Sequence, residues 1–252
     1  MSSRFVSDTT ALTGRSLRHI ARSPDTIMTT TIMPIAFMLM FVYVFGGAMN
    51  SHDEAYVNYL LPGILLITIA SSIAYTAFRL FMDKSSGIVE RFQSMPISRS
   101  AVLWAHVLTS MVASLVSVVV VVLVALLMGF RSSAGPLAWL AVAGILALFT
   151  LALTWLAVIA GLTAKSVDGA SAFSYPIIFL PFIRSAFVLT KTMPGPVRAF
   201  AENQPVTPIV DAIRNLYSQQ AVGGGIWVAI AWCVLILAAA YVVATRLYRR
   251  SS

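Results

Sequence analysis

Charged residues are scarce in this chain, and long stretches lack them altogether. They make up 10% of the 252 residues, whereas about 25% is usual in soluble domains. No Asp, Glu, Lys or Arg occurs in residues 26–52, 55–78, 100–130, 132–164, 169–183 and 215–245. A helix needs about 20 apolar residues to cross a hydrocarbon core of roughly 30 Å. Five stretches exceed that length and residues 169–183 come close, which excludes a soluble fold and indicates a multi-pass membrane protein.

Cysteine and the common catalytic motifs are also nearly absent. Cys233 is the only cysteine, so no intrachain disulfide forms. The chain has no GxxxxGKS or GxxxxGKT loop to hold nucleotide phosphates, no HExxH, CxxC or GxSxG motif, and its histidines, His19, His52 and His106, are isolated. We therefore predict no catalytic residue, no metal site and no cofactor in this chain.

The length and continuity of the uncharged stretches predict an all-α polytopic membrane protein. Only helices and closed barrels satisfy every backbone polar group in lipid, and barrel strands would be about 10 residues long with alternating polarity. We predict six transmembrane helices, at residues 26–45, 59–81, 101–128, 137–162, from 171 onward, and 225–246. Residues 1–25 form a cytoplasmic N-terminus with an amphipathic interfacial helix at 5–22, residues 26–246 form the transmembrane domain, and residues 247–252 form a cytoplasmic tail.

The net charge of +8 indicates membrane topology rather than nucleic-acid binding. With six spans, most Lys and Arg residues fall on the side that holds both termini and the loop at residues 82–100. On the opposite side, the first loop carries Asp53 and Glu54 but no cation. The positive-inside rule then places both termini in the cytoplasm, and no nucleic-acid partner is expected.

Polar side chains inside the predicted spans mark faces that avoid lipid. Most of the polar residues of span two lie on one stripe, which must face protein or a cavity: Thr68, Ser71, Ser72, Tyr75 and Thr76. Span three has a predicted packing seam of serines: Ser110, Ser114 and Ser117.

Span five is interrupted by Pro176 and Pro181, and Arg184 follows near its outer end. An ionisable residue there is a functional candidate, although a side chain that only reaches for the headgroups gives the same pattern. Residues 190–224 follow outside, with Ile209, Val210, Ile213 and Leu216 at helical spacing. We predict one or two short amphipathic helices at the outer membrane face, the second capped by Thr207 and begun by Pro208.

The cytoplasmic loop at residues 83–99 carries an apolar ridge between charged flanks. Ile88, Phe92 and Met95 recur at helical spacing, and Pro96 ends the helix. Such a ridge is typical of a helix that docks in a groove of a partner. It is equally typical of an amphipathic loop that lies on the bilayer.

Three segments resemble type-2 ABC exporter permeases, especially the daunorubicin-resistance branch. They are DKSSGIVERFQSMPISRSAVL at residues 83–103, YLLPGIL at 59–65, and SAFVLTKTMPGPVRAFAENQPVTPIVDAIRNLY at 185–217. The resemblance implies that Gly87, Glu90, Arg91 and Pro96 lie on a coupling helix that docks on a separate ATP-hydrolysing subunit, with Phe92 and Met95 on its ridge. It also implies that the outer helices before span six are re-entrant. One departure is Arg184, where relatives commonly have Ser.

The resemblance implies a non-enzymatic permease subunit of an ATP-driven exporter in the cytoplasmic membrane of a bacterium. Two permease subunits, identical or paralogous, would pair with two ABC ATPase subunits that hold ATP and Mg, surrounded by membrane lipids. The expected substrate is lipophilic, a drug or a lipid-like molecule. We predict a substrate path along spans two and five, lined by Thr68, Ser71, Ser72, Tyr75, Tyr175, Phe179 and Arg184.

Three alternatives remain open from the sequence. The permease could carry a lipid-linked glycan or a cell-envelope lipid instead of a drug. The chain could be a membrane assembly factor that transports nothing, or an intramembrane enzyme that modifies lipids. The sequence does not identify the substrate, and it does not distinguish a homodimer from a heterodimer.

Overall fold

The computed structural model describes residues 9–10, 13–14, 16, 25–45, 56–87, 99–183, 195–220 and 223–250, and all regular secondary structure in these ranges is helical. The helices are α1 (Asp25–Leu39, continued by a π-helical turn at Met40–Phe45), α2 (Tyr56–Ser85), α3 (Arg99–Leu127), α4 (Pro136–Thr163), α5 (Val167–Ala172), α6 (Ser174–Phe179, continued by a 3-10 turn at Leu180–Ile183), α7 (Gly195–Asn203), α8 (Val206–Tyr217) and α9 (Gly225–Arg250). Four of them, α2, α3, α4 and α9, are long and apolar enough to cross a membrane. The prediction of an all-helical membrane protein is confirmed.

Helix α2 is longer than predicted at both ends. It begins at Tyr56 rather than residue 59 because Val57 is buried and the Tyr56 ring stacks on Tyr59, with centroids 6.2 Å apart. It continues past residue 81 to Ser85, where Lys84 reaches across to helix α4. Long-range contacts therefore extend the helix beyond its most apolar part.

The predicted fifth span is broken into α5, α6 and the 3-10 turn. Pro176 lies in the first turn of α6, where a missing N–H costs little, whereas Pro181 lies in the 3-10 turn. The Ser174 hydroxyl donates to the Ser171 carbonyl at 2.7 Å and links the two helices across the break. The predicted interruption is confirmed, and whether this segment spans the membrane stays a prediction.

The two ends of the bundle are defined by cross-links between helices. At the first, called the Tyr59 end, the Asn58 side chain accepts from the backbone N–H of Arg131 at 3.2 Å, and Ser132 donates to the Tyr217 carbonyl at 3.0 Å. At the other, called the Lys84 end, Lys84 donates to the Leu162 carbonyl at 2.7 Å. Helices α2 and α4 therefore run from the Tyr59 end to the Lys84 end. Helix α3, which lies between them in the sequence, runs in the opposite direction.

Helix α9 also runs towards the Lys84 end. It starts beside α8, and its Tyr248 packs in a cluster with Leu80 and Leu103 near the opposite end. The chain returns to the Tyr59 end through α5 and α6, because Gln204, which follows α7, donates to the Leu180 carbonyl at 3.0 Å.

Helix α2 forms the centre of the fold. Every residue from 60 to 70 is buried, and α1, α3, α4, α5, α6 and α8 all pack against it. Helix α4 approaches closely at Gly161, where an added Cβ would lie 2.9 Å from the Ala77 carbonyl oxygen. Small residues allow such close backbone contact between membrane helices.

The apolar face of α8 turns towards the protein. Ile209, Val210 and Ile213 are fully buried in the core that α2 and α4 share. Thr207 was predicted to cap this helix, and that prediction is wrong: Pro205 occupies the cap, and the Thr207 hydroxyl instead donates to the Ala201 carbonyl at 2.6 Å. The second helix of the predicted outer pair is thus held by core contacts, and its relation to the bilayer stays a prediction.

Candidate functional site

The predicted polar stripe of α2 separates into two faces. Thr68, Ser72 and Thr76 are buried, and Thr68 donates to its own helix at the Ile64 carbonyl, 2.8 Å away. Ser114 of α3 donates to the Ser72 hydroxyl at 2.6 Å. The prediction that this stripe avoids lipid is confirmed for these three residues, since they face the protein.

The remaining polar residues of α2 lie on the neighbouring face. Ser71 and Tyr75 are half-buried, and the Arg79 guanidinium lies 6.0 Å from the Tyr75 ring centroid. In α6, Tyr175 and Phe179 are 59% and 60% exposed. Of the predicted path residues that the structure describes, Thr68 and Ser72 are therefore buried inside the subunit, whereas Tyr175 and Phe179 are exposed on its surface.

The serine seam of α3 is confirmed. Ser110, Ser114 and Ser117 are all buried. Ser114 bonds to α2, and Ser117 lies 3.4 Å from the Thr30 hydroxyl of α1. The seam thus joins three helices in the middle of the bundle.

The Lys84 end carries the transition into the predicted coupling loop. Gly87 adopts a positive φ of 72° just past the end of α2 and bonds back to the Lys84 carbonyl, the conformation that glycine tolerates best at a helix C-terminus. Asp83 pairs with His106 of α3 at 3.2 Å. Helix α2 is therefore fastened to both α3 and α4 where it enters the loop.

Several predicted elements lie outside the described residues. They are the coupling residues Glu90, Arg91, Phe92, Met95 and Pro96, the path residue Arg184, and the cations of the predicted interfacial helix at residues 5–22. Their roles stay predictions.

At the Tyr59 end, sequence reasoning missed Arg214. Its guanidinium lies 4.1 Å from the Tyr59 ring centroid, donates to the Tyr59 carbonyl at 3.2 Å and pairs with Asp211 at 3.6 Å. Cation–π and hydrogen-bond contacts thus join α8 to the first turn of α2. A cation near the end of an otherwise amphipathic helix was the available signal.

An aromatic cluster supports the same contact. Tyr217 packs edge-to-face on Phe130, with ring centroids 5.3 Å apart, and contacts Trp139 in a tilted arrangement, with centroids 4.9 Å apart. Burial raises the pKa of the Tyr217 phenol well above its ordinary value, so the ring stays neutral. This cluster ties α8 to the turn between α3 and α4.

Among the described residues, no group of His, Cys, Asp or Glu side chains could hold a metal ion. What the geometry offers is a helical bundle with a rigid central helix, one end that leads into a cationic loop, and an opposite end closed by short helices. Such an arrangement is that of a multi-pass membrane protein.

Comparison with known proteins identifies the class. Residues 7–217 match the family described as ABC-2 type transporter. The chain is 30% identical over 242 residues to the daunorubicin resistance ABC transporter permease protein DrrB1 of Streptomyces coeruleorubidus, covering 94% of this chain and 84% of that protein. The chain belongs to the ABC-2 type transporter family and is the membrane subunit of an ABC transporter.

More distant relatives agree. The probable doxorubicin resistance ABC transporter permease protein DrrC of Mycobacterium tuberculosis is 26% identical over 225 residues, covering 87% of this chain and 79% of that protein. A putative transport permease, ycf38, of Porphyra purpurea is 25% identical over 223 residues, covering 86% and 76%. Permease subunits of this kind are not themselves catalytic, and the family implies an ATPase partner.

Proposed function

We propose that this chain is the permease subunit of an ATP-driven exporter that moves a lipophilic substrate, a drug or a lipid-like molecule, out across the cytoplasmic membrane of a bacterium. The observation that carries the proposal is the family match over residues 7–217. Two relatives whose names specify daunorubicin and doxorubicin resistance support a drug-like substrate.

In this proposal the chain crosses the membrane six times. The four long helices supply four crossings. Helix α1 with its π-helical turn supplies a fifth, since it packs against α2 and α3 and its Phe37 and Phe41 rings contact Phe182. The segment from α5 to Ile183 supplies the sixth, because it carries the chain from the end of α4 back to the Tyr59 end. The Lys84 end then faces the cytoplasm, together with both termini.

The substrate path runs between two permease subunits, identical or paralogous. Thr68 and Ser72 lie inside the packed core of one subunit, whereas Tyr175 and Phe179 face outward from it. Side chains that face outward can line a path only if a second subunit closes it. Ser71, Tyr75 and Arg184 join this path in the proposal.

Two ATPase subunits, each with ATP and Mg, dock on the loop that follows Gly87. Helix α2 transmits their movement because it is buried along its centre and fastened near both ends, by Arg214 at Tyr59 and by Lys84 at Leu162. A displacement of the loop would therefore shift the packed bundle and not α2 alone.

The test uses the chain co-expressed with its ATPase and inverted membrane vesicles that accumulate a lipophilic dye. Glu90→Ala and Phe92→Ala should abolish ATP-dependent accumulation while the protein still inserts. Loss of a central interface anchor costs about 2 kcal/mol or more, which is roughly 30-fold in affinity for the ATPase.

Ser94→Ala is the matched control, because Ser94 lies in the same loop but off the ridge formed by Ile88, Phe92 and Met95. It should leave copurification and transport unchanged. Normal transport and copurification in both the Glu90→Ala and the Phe92→Ala variants would contradict the coupling role and favour a loop that lies on the bilayer.

A further inference from the structure

One side of α2 is only partly covered by the rest of the subunit. Residues 60–70 are all buried, but towards the Lys84 end half-buried residues recur at helical spacing. These residues, named the Arg79 face, are Ser71, Ala74, Tyr75, Phe78 and Arg79. Ser71 and Tyr75 belong to the proposed path, so this face continues the path towards the Lys84 end.

Arg79 places a positive charge on this face, within a membrane-spanning helix. It precedes Lys84 by five residues, which is about 7.5 Å along the helix axis. A charge at such a depth is costly unless it reaches headgroups, water or a counter-ion. A long side chain on a lipid-facing surface can extend to the headgroups, but six helices pack around α2 and none of its residues from 56 to 81 is exposed. The Arg79 charge therefore needs water or a counter-ion between the helices.

Within the ranges that the structure describes, no carboxylate forms an ion pair with Arg79. Asp83 lies one turn further along α2, at the spacing of a helical ion pair, but it pairs with His106 of α3 at 3.2 Å. The Arg79 guanidinium instead contacts the Tyr75 ring, 6.0 Å from its centroid. This contact leaves the N–H donors of the guanidinium for a ligand.

Aromatic rings lie beside this cation. The Tyr75 and Phe78 rings are 6.0 Å apart on the same face of α2, and such rings contribute a large apolar contact area. Carboxylate and phosphate oxygens match the donors of a guanidinium in a bidentate geometry. Two rings beside a guanidinium are thus complementary to a molecule that has an apolar body and an anionic group.

We propose that Arg79 is a specificity-determining residue of the export path, and that it binds a carboxylate or phosphate group on a lipophilic substrate while Tyr75 and Phe78 contact the apolar body. The inference rests on the proposed function, because the Arg79 face becomes a closed site only when a second permease subunit covers it. It narrows the proposed substrate from any lipophilic molecule to a lipophilic anion.

The test uses the full chain copurified with its ATPase and placed in phosphatidylcholine nanodiscs. Three probes share a pyrene body and differ in charge: pyrenebutyrate is an anion, its methyl ester is neutral, and pyrenebutylammonium is a cation. The measured quantity is the probe concentration that gives half of the maximal stimulation of ATP hydrolysis. For the wild type this concentration should be about tenfold lower for the anion than for the ester, the gain expected from a hydrogen bond to a charged group.

Two substitutions of Arg79 and one matched control make the assignment specific. Arg79→Gln should raise the value for pyrenebutyrate about tenfold, to that of the ester, because the anion loses its charged partner. Arg79→Lys keeps the charge without the bidentate geometry and should retain part of the preference. Lys165→Gln is the control, because Lys165 is an exposed cation at the same end of the bundle but lies outside α2, and it should retain the full preference.

A preference for the anion that Arg79→Gln abolishes and Lys165→Gln keeps is the expected result. The proposal is overturned if the wild type responds to the anion no better than to the ester, or if Arg79→Gln raises the values for all three probes equally. It is also overturned if Lys165→Gln removes as much of the preference as Arg79→Gln. Stimulation by the ester in these cases would leave the proposed exporter standing, whereas no stimulation by any probe would count against both.

Discussion

Gly161 sets the distance between α2 and α4. A Cβ at this position would lie 2.9 Å from the Ala77 carbonyl oxygen and 3.0 Å from Leu80 Cβ, so the two helices would have to separate. We expect Gly161→Ala to lower the stability by about 1–3 kcal/mol, the usual cost of overpacking a core. The change in stability is measured by heating the purified protein to a series of temperatures and determining the fraction that stays folded by size-exclusion chromatography.

The control for this prediction is Gly144, which lies in the same helix and has nothing within 4 Å of an added Cβ. Gly144→Ala should leave the stability unchanged or raise it by up to about 1 kcal/mol, because alanine favours the helix. Equal melting temperatures for the two variants would show that α2 and α4 are not closely packed at Gly161.

Arg214 holds α8 on α2 through two contacts of its guanidinium, to the Tyr59 ring and to the Tyr59 carbonyl, while Asp211 of the same helix pairs with it. We expect Arg214→Ala to lower the free energy of unfolding by about 2 kcal/mol, the upper range for a desolvated cation–π contact. Hydrogen exchange of α8 should rise in this variant. Arg131→Ala is the control, because Arg131 is exposed at the same end. If both variants lost equal stability, the cause would be the removal of a positive charge and not the contact of Arg214 with Tyr59.

At the scale of elements, the serine seam that joins α2 to α3 makes a small contribution to stability. The Ser114–Ser72 bond is short at 2.6 Å, yet hydrogen bonds between membrane helices average only about 0.6 kcal/mol. In a double-mutant cycle, Ser72→Ala and Ser114→Ala should therefore show a coupling energy below about 1 kcal/mol. A coupling of several kcal/mol would mean that the seam, rather than apolar packing, holds α2 and α3 together.

Elements that depend on local composition could be predicted from the sequence, and those that depend on distant partners could not. The bounds of α3, α4 and α9 follow closely from their uncharged stretches. The contact of Arg214 with Tyr59 joins residues 155 positions apart, and no local pattern reports it. Thr207 was given the wrong role because the Ala201 carbonyl, supplied by the preceding helix, competes for its hydroxyl.

The candidate site shows the same division. Burial of Thr68 and Ser72 follows from the polar stripe of α2, because polar groups avoid lipid. The pairing of Asp83 with His106 could not be predicted, since the spacing along α2 favours a pair between Asp83 and Arg79, and only the fold brings His106 close.

At the scale of the whole molecule, charge separates the two ends of the bundle. Of the cations whose backbone positions the structure describes, those towards the Lys84 end are Arg79, Lys84, Arg99, Lys165, Arg246, Arg249 and Arg250, while those at the Tyr59 end are Arg131, Arg198 and Arg214. Arg214 is also paired with Asp211. The positive-inside rule therefore predicts that the Lys84 end faces the cytoplasm.

Cysteine labelling in intact cells tests this orientation. Cys233 is buried and behaves as a small hydrophobe, so Cys233→Ala gives a background without reactive thiols. Ser86→Cys and Gln220→Cys then place single thiols at exposed positions of the Lys84 end and the Tyr59 end. An impermeant maleimide added outside should label the thiol at position 220 and spare that at 86, and permeabilised cells should label both. The reverse pattern would put the loop after Gly87 outside the cell, where no ATPase could reach it, and would refute both the orientation and the coupling role.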